Sequence, residues 1–152
     1  MVDVVDKKTR SRMMSGIRSK NTKPEILTRK ALHALGYRYK LDSKVGKIKP
    51  DIVLQKHKVA IFAHGCYWHQ HKGCMLAYSD RNYSKKWLKK FSDNKARDER
   101  VKKQLLGEGW RVVVVWECIT RNEKKLKETI FKLHVTGSHV HVTGSNLTFD
   151  IY

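Results

Sequence analysis

Three cysteines and one histidine constrain this chain more tightly than any other feature. Cys66, His71 and Cys74 fall within nine residues of the segment FAHGCYWHQHKGC (62–74), and Cys118 closes the apolar run RVVVVWEC (111–118). Thiolate and imidazole are the donors that a borderline-soft cation such as zinc takes up in a tetrahedron. All the cysteines of the chain plus this histidine complete such a set. Four protein ligands leave no open position, so the predicted zinc is structural: it holds the fold and does no chemistry. The plainer alternative is three buried free thiols, because cysteine often behaves as a small core residue. Two cysteines bracketing a histidine in a polar, turn-like segment do not have that character.

The rest of the chain supplies elements for a single domain of 152 residues. In TKPEILTRKALHALGYRYKL, Leu27, Ala31, Ala34 and Leu35 recur at helical spacing. Thr22 and Glu25 fit a capping box, Pro24 suits the first turn and Gly36 stands where a helix should stop, which predicts about twelve helical residues. YRYKL, DIVL and VAIFA read as strands, with QKHK as a tight turn between the last two. A second helix is predicted over 84–107, ending at Gly107, with Trp87, Phe91, Val101 and Leu105 on one face. Asn94 and Asp98 interrupt that same face. WRVVVVW reads as a buried strand and TRNEKKLKETIFKLH as a last helix with Leu126, Ile130 and Leu133 inward. The predicted class is α/β, a mixed central sheet flanked by helices. Residues 1–20 read as a basic, flexible or weakly helical arm and 21–134 as the main domain. The tail, 135–152, carries VTGS twice and suggests a loose hairpin or ordered edge.

Charge narrows the function. Lys and Arg number 33 against 14 acids, a net charge of +19, so an anionic partner is expected and nucleic acid is the default. No apolar run is long enough to span a bilayer, and the first residues lack the apolar core of a signal peptide. A cytoplasmic, nucleoid-associated protein is expected, and in that reducing interior cysteines serve as thiols or metal ligands.

A second constellation uses harder donors. Hydrolysing a phosphodiester calls for a hard cation, usually magnesium, that polarises the phosphate and activates water. Asp51 heads one strand, and the next strand ends beside His64. A short antiparallel connection brings Asp51 to residues 62–64, with His69 nearby. Alone, Asp51 would read as an acid at a strand entry. With the histidine pair and the charge it reads as a site. Glu25, from spacing alone, reads as a cap.

RSRMMSGIRSKNTKPE, KPDIV, HGCYWHQHKGC and GWRVVVVWEC, in this order and spacing, closely resemble the very-short-patch repair (Vsr) DNA mismatch endonucleases over roughly residues 5–133. The resemblance implies a fold like that of type II restriction endonucleases, a Cys3His zinc site, and a magnesium-dependent nick 5′ of the thymine in a T:G mispair. Such mispairs arise from deaminated 5-methylcytosine. It implies Asp51 as the central magnesium ligand, His69 as general base, and His64 and Glu25 as supporting members of the site. The family's residue at 63 offers a backbone carbonyl to the metal, and here Ala63 keeps that carbonyl without a side-chain hydroxyl. Tyr67, Trp68 and Trp87 match positions that wedge into the duplex beside the mismatch, Tyr67 standing where many relatives have phenylalanine. Met14 on the arm would approach from the minor groove. Asn94 would hydrogen-bond a mispaired base and Asp98 would orient His69. Trp110 and Trp116 are left to the core. The implied partners are duplex DNA bearing a T:G mispair and a repair polymerase, a ligase and mismatch-repair proteins, with the chain acting as a monomer. A zinc-stabilised DNA-binding protein without catalysis, and a nuclease that cuts intact duplex, are the alternatives.

Overall fold

The computed structural model describes residues 6–77, 85–135 and 149–151. Within them the elements are α1 (Lys7–Ser15), α2 (Lys23–Ala34), β1 (Ile52–Leu54), β2 (Val59–His64), α3 (Lys85–Gly107), β3 (Arg111–Trp116), α4 (Glu117–Thr120), α5 (Glu123–Val135) and β4 (Phe149–Ile151). The strands form one mixed sheet in the order β1-β2-β3-β4. β1 and β2 are antiparallel, β2 and β3 parallel across the α3 crossover, and β3 and β4 antiparallel.

The uniformly apolar strands are explained by cover on both faces. Ile52, Leu54, Val59, Ile61, Val113 and Val115 pack on one side with Ala31, Leu32, Ile119, Leu126 and Ile130 of α2, α4 and α5. Val53, Ala60 and Val112 point the other way, onto Leu105 of α3 and Val45 and Ile48 of a preceding loop. Strict alternation within each strand therefore feeds two cores, so neither face needs polar residues.

α2 begins and ends as its sequence predicts. The Thr22 hydroxyl accepts the Glu25 N–H at 3.5 Å, and Gly36 adopts φ +86°. The Tyr37 and Gly36 N–H groups then reach the Leu32 and His33 carbonyls, each at 3.0 Å, a Schellman closure that only a left-handed residue permits cheaply. The buried face differs from expectation. Glu25, Thr28, Ala31 and Leu32 are inside, whereas Ala34 and Leu35 are exposed because the chain leaves the core at Gly36. Thr28 tolerates burial by donating its hydroxyl to the Pro24 carbonyl at 2.8 Å.

Other corrections are local. YRYKL is not a strand, because the Tyr37 N–H closes the helix and only Lys40 bridges to Val53. QKHK forms a short 3-10 turn with Lys58 left-handed, at φ +49°. Among the described residues, two strands, not three, therefore precede α3. The arm contains a true helix, α1, whose start is capped by Asp6 accepting the Thr9 N–H at 2.8 Å. α3 runs to Gly107 as predicted, with Asn94 and Asp98 half-buried in its apolar stripe. Leu126 and Ile130 are buried as predicted, while the side chains of Leu133 and Met14 lie outside the described residues. Of the tail, β4 adds a strand beside β3, and residues 136–148, including the second VTGS, lie outside the described residues.

Candidate active site

The hairpin of β1 and β2 delivers the first group. Its register pairs Ile52 with Ile61, which carries Asp51 to the end of β2, where its Oδ2 accepts the Ala63 N–H at 2.8 Å. Burial pushes the Asp51 carboxyl above its ordinary pKa. The Ala63 N–H opposes that shift, the Glu25 charge adds to it, and Arg29 and His69 act against it. A buried carboxylate that is costly to ionise is a group that a nearby cation would stabilise.

His64 ends β2 and is nearly buried. Burial, with the neighbouring His69 charge, lowers its pKa to about 3, so the ring is neutral at ordinary pH. It stacks face to face on His69, with ring centres 3.8 Å apart and planes within 8°. His69 Nδ1 meets Asp98 Oδ2 at 2.5 Å. Burial would raise the Asp98 carboxyl, but the hydrogen bond and charge of His69, with Arg97, hold it low. An ionised Asp98 can only accept, so Nδ1 of His69 carries the proton of this contact and Nε2 is the ring nitrogen left to other partners. The ligand atoms of His64, His69 and Asp98 lie within 4.8 Å of one another. Stacked imidazoles, however, keep their in-plane lone pairs in two parallel planes, which suits hydrogen bonding better than convergence on one ion.

Glu25 is committed on every side. Its Oε2 accepts the Asn21 N–H at 2.9 Å and pairs with Arg29 Nη2 at 3.0 Å. Its Oε1 accepts the Thr22 hydroxyl at 2.9 Å. The capping box is thus present in altered form, reaching one residue further back than the cap itself. Arg29, which sequence reasoning missed, also donates to Asn21 Oδ1 at 2.6 Å. An acid and an arginine four apart on α2 were the available signal, but such pairs are common on solvated helix faces. This one is nearly buried, with side chains 8% and 14% exposed.

The segment after His64 turns back sharply to form the second site. His69 N–H reaches the Gly65 carbonyl at 3.2 Å, and Gln70 is left-handed at φ +49°. His71 N–H then bonds the Cys66 carbonyl at 3.0 Å. The donors of Cys66, His71, Cys74 and Cys118 come within 4.8 Å of one another, a set able to hold a metal ion. His71 Nδ1 stands 3.6 Å from Cys66 Sγ and 3.5 Å from Cys118 Sγ. The Cys118 N–H also donates to Cys66 Sγ at 3.4 Å, across 52 residues of sequence. Burial raises the Cys66 and Cys118 thiols above their ordinary pKa.

Tyr67 and Trp68, which lie between the two groups in sequence, belong to an aromatic cluster. Tyr67 packs edge-on against Trp68 (5.2 Å) and Phe91 (5.5 Å), and Trp68 lies 5.7 Å from Trp87. Lys90 Nζ stands over both indoles, 4.8 Å from Trp68 and 5.3 Å from Trp87. Asn94 donates its amide to the Trp68 carbonyl at 3.0 Å, which fastens this segment to α3. The sequence-predicted residues Glu25, Asp51, Ala63, His64, Trp68, His69, Asn94 and Asp98 all line one cleft of about 1840 Å³, with Lys30, Lys47, Lys49, Lys90, Lys95 and Lys102 around them. None of the described helices is long and apolar enough to cross a membrane.

Comparison with known proteins gives a consistent result. A family model described as DNA mismatch endonuclease Vsr matches residues 2–76. The type II nicking enzyme V.XorIIP of Xanthomonas oryzae pv. oryzae is 42% identical over 118 residues, covering 78% of this chain and 86% of that protein. The DNA mismatch endonuclease Vsr of Escherichia coli K12 is 36% identical over 128 residues, 84% of this chain and 81% of that protein. The catalytic domain of the homing endonuclease I-Bth0305I matches with a TM-score of 0.53 at 21% identity, covering 78% of this chain and all of that one. That likeness bears on the fold alone, a mixed α/β core.

Proposed function

The chain belongs to the Vsr family of DNA endonucleases, and on that premise we propose that it nicks duplex DNA 5′ of the thymine in a T:G mispair left by deamination of 5-methylcytosine. The observation that carries the reading is the convergence of Asp51, held by the Ala63 N–H, and the Asp98–His69–His64 array on one cleft ringed with lysines. A DNA-binding protein without catalysis would have no use for that convergence.

Asp51 and the Ala63 carbonyl are the groups that would hold magnesium, which when bound gathers charge on the phosphoryl oxygens and eases ionisation of water. Donor chemistry fits: an oxygen-only pair at a buried carboxylate is a hard site. His69 takes the attacking water's proton at Nε2, and Asp98 fixes the tautomer and plane of that ring. Neutral His64 supports it by stacking, and Glu25 with Arg29 sets the charge around Asp51. Cys66, His71, Cys74 and Cys118 are assigned to zinc. A tetrahedron with Zn–S of about 2.3 Å and Zn–N of about 2.0–2.1 Å has S···N edges of about 3.5–3.6 Å, close to the 3.6 and 3.5 Å separations of His71 Nδ1 from the two sulfurs.

Tyr67, Trp68 and Trp87 are assigned the wedge. Unstacking a base step costs a few kcal/mol and is easiest at a mispair, so insertion favours damaged duplex. The net charge of +19 supplies the sequence-independent attraction, with the arm, residues 1–20 including Met14, on the minor-groove side. The nicked product is a substrate for a polymerase and a ligase. Matched and T:G-mismatched duplexes, each strand end-labelled and incubated with magnesium, test the whole reading. One nick 5′ of the mispaired thymine is expected. Cutting of both strands, equal cutting of matched duplex, or binding without any cut would overturn it.

A further inference from the structure

We propose that Trp116 is a positioning residue that couples the Cys/His cluster to the histidine pair, a proposal that rests on the reading of His69 as the base. The parallel register of β2 and β3 places Trp116 directly beside His64. Its indole lies flat on His71, with centres 4.1 Å apart and planes within 5°. The same indole makes a T-shaped contact with His64, with centres 5.4 Å apart and planes at 77°. His64 in turn stacks on His69, whose Nδ1 is held by Asp98. Four rings thus run without a break from a ligand of the cluster to the His69 ring.

Both ends of the series are anchored. Trp116 is the extended residue capping α4, two positions before Cys118, so the cluster and the indole share one short stretch of backbone. His71 is oriented by the sulfurs of Cys66 and Cys118. His64 is nearly buried and contacts both the Trp116 indole and the His69 ring. Removing the indole opens space beside His64, and a tilt there passes to the stacked His69. Displacement of a reacting group by about 1 Å is enough to cost on the order of 100-fold in rate. Trp110, at the opposite end of the same run, packs with the second core and touches none of these rings in the contacts described. It is the internal control.

The test uses the full-length, zinc-loaded protein and a duplex with a single T:G mispair. Trp116→Leu should keep the parent's zinc content and KM while kcat falls roughly 10- to 100-fold. The NMR signals of the His69 ring should move, although Trp116 does not stack on that ring. Trp116→Phe, which keeps a flat partner for His71, should restore kcat to within a few-fold, and Trp110→Leu should move neither readout. His71→Cys gives a four-cysteine cluster without the ring beneath the indole and should lower kcat with zinc retained. It also serves if Trp116→Leu does not fold. Parent-like kcat with unmoved His69 signals, in either Trp116→Leu or a zinc-loaded His71→Cys, would overturn the coupling, as would Phe behaving no better than Leu. His69→Ala separates the two claims: if it nicks normally the base assignment fails, whereas if it is dead and Trp116→Leu is active only the coupling fails. The NMR arm needs no substrate and decides the geometric claim by itself.

Discussion

The Cys/His cluster and the Asp51 cleft share the segment 63–74 but are built on opposite rules. The cluster is closed: soft donors from Cys66, His71, Cys74 and Cys118 face one another, and backbone N–H groups already address the sulfur and the turn. The cleft is open: one raised carboxyl, the His69 imidazole and surrounding lysines face a large volume. A closed set can contribute only to stability and shape, whereas an open one has somewhere to put water and phosphate. Nature of donor and completeness of the set, rather than mere clustering of polar residues, distinguish the two.

That contrast is broken most forcefully at the cluster. Cys118→Ser should release zinc and lower the melting temperature by roughly 10 °C or more, since a structural metal contributes folding free energy directly. Nicking should vanish with the fold. Metal analysis with calorimetry checks this, and a purified parent without zinc, or a mutant that melts like the parent, would remove the cluster from the comparison.

The wedge should show a smaller and more selective effect. Trp68→Ala should cost on the order of 10-fold in affinity for the mismatched duplex and little for the matched one, because stacking of about 1–3 kcal/mol acts only where bases part. Equal losses on both duplexes, measured by fluorescence anisotropy at fixed salt, would return Trp68 to packing.

Glu25 sharpens the boundary between holding and cutting. Glu25→Gln keeps neutral capping contacts but loses the charge paired to Arg29 at 3.0 Å, so stability should fall by about 1–3 kcal/mol. Nicking should fall by roughly 10-fold through the altered field at Asp51. If the variant melts lower and cuts like the parent, Glu25 is a cap and nothing more.

Much of this layout was legible in the residues. The limits of α2 followed from Thr22, Pro24 and Gly36, and the hairpin that brings Asp51 to Ala63 followed from two apolar runs with a short connection. Asn94 and Asp98 were visible because they interrupt an apolar stripe, and a polar break on an inward face needs a reason. Other features were hidden for physical reasons. Alternation in YRYKL could not reveal that the Tyr37 N–H was already spent on the helix end. The stripe of α2 read on through Ala34 and Leu35 because period alone does not say where the chain leaves the core. Arg29 was invisible because its role depends on a cap that reaches back to Asn21. Trp116 reads as core, because its apolar setting at a strand end conceals that its indole stacks on His71 and makes a T-shaped contact with His64.

If the cluster holds the fold while Asp51 cuts, single-turnover nicking of a T:G duplex by Asp51→Ala separates the two roles. The variant should be prepared at the parent's zinc content and melting temperature. No nick should form, while binding to the mismatched duplex persists or tightens, because removing an acid relieves repulsion against phosphate. Parent-like nicking by this variant would contradict that division and move the catalytic centre elsewhere in the molecule.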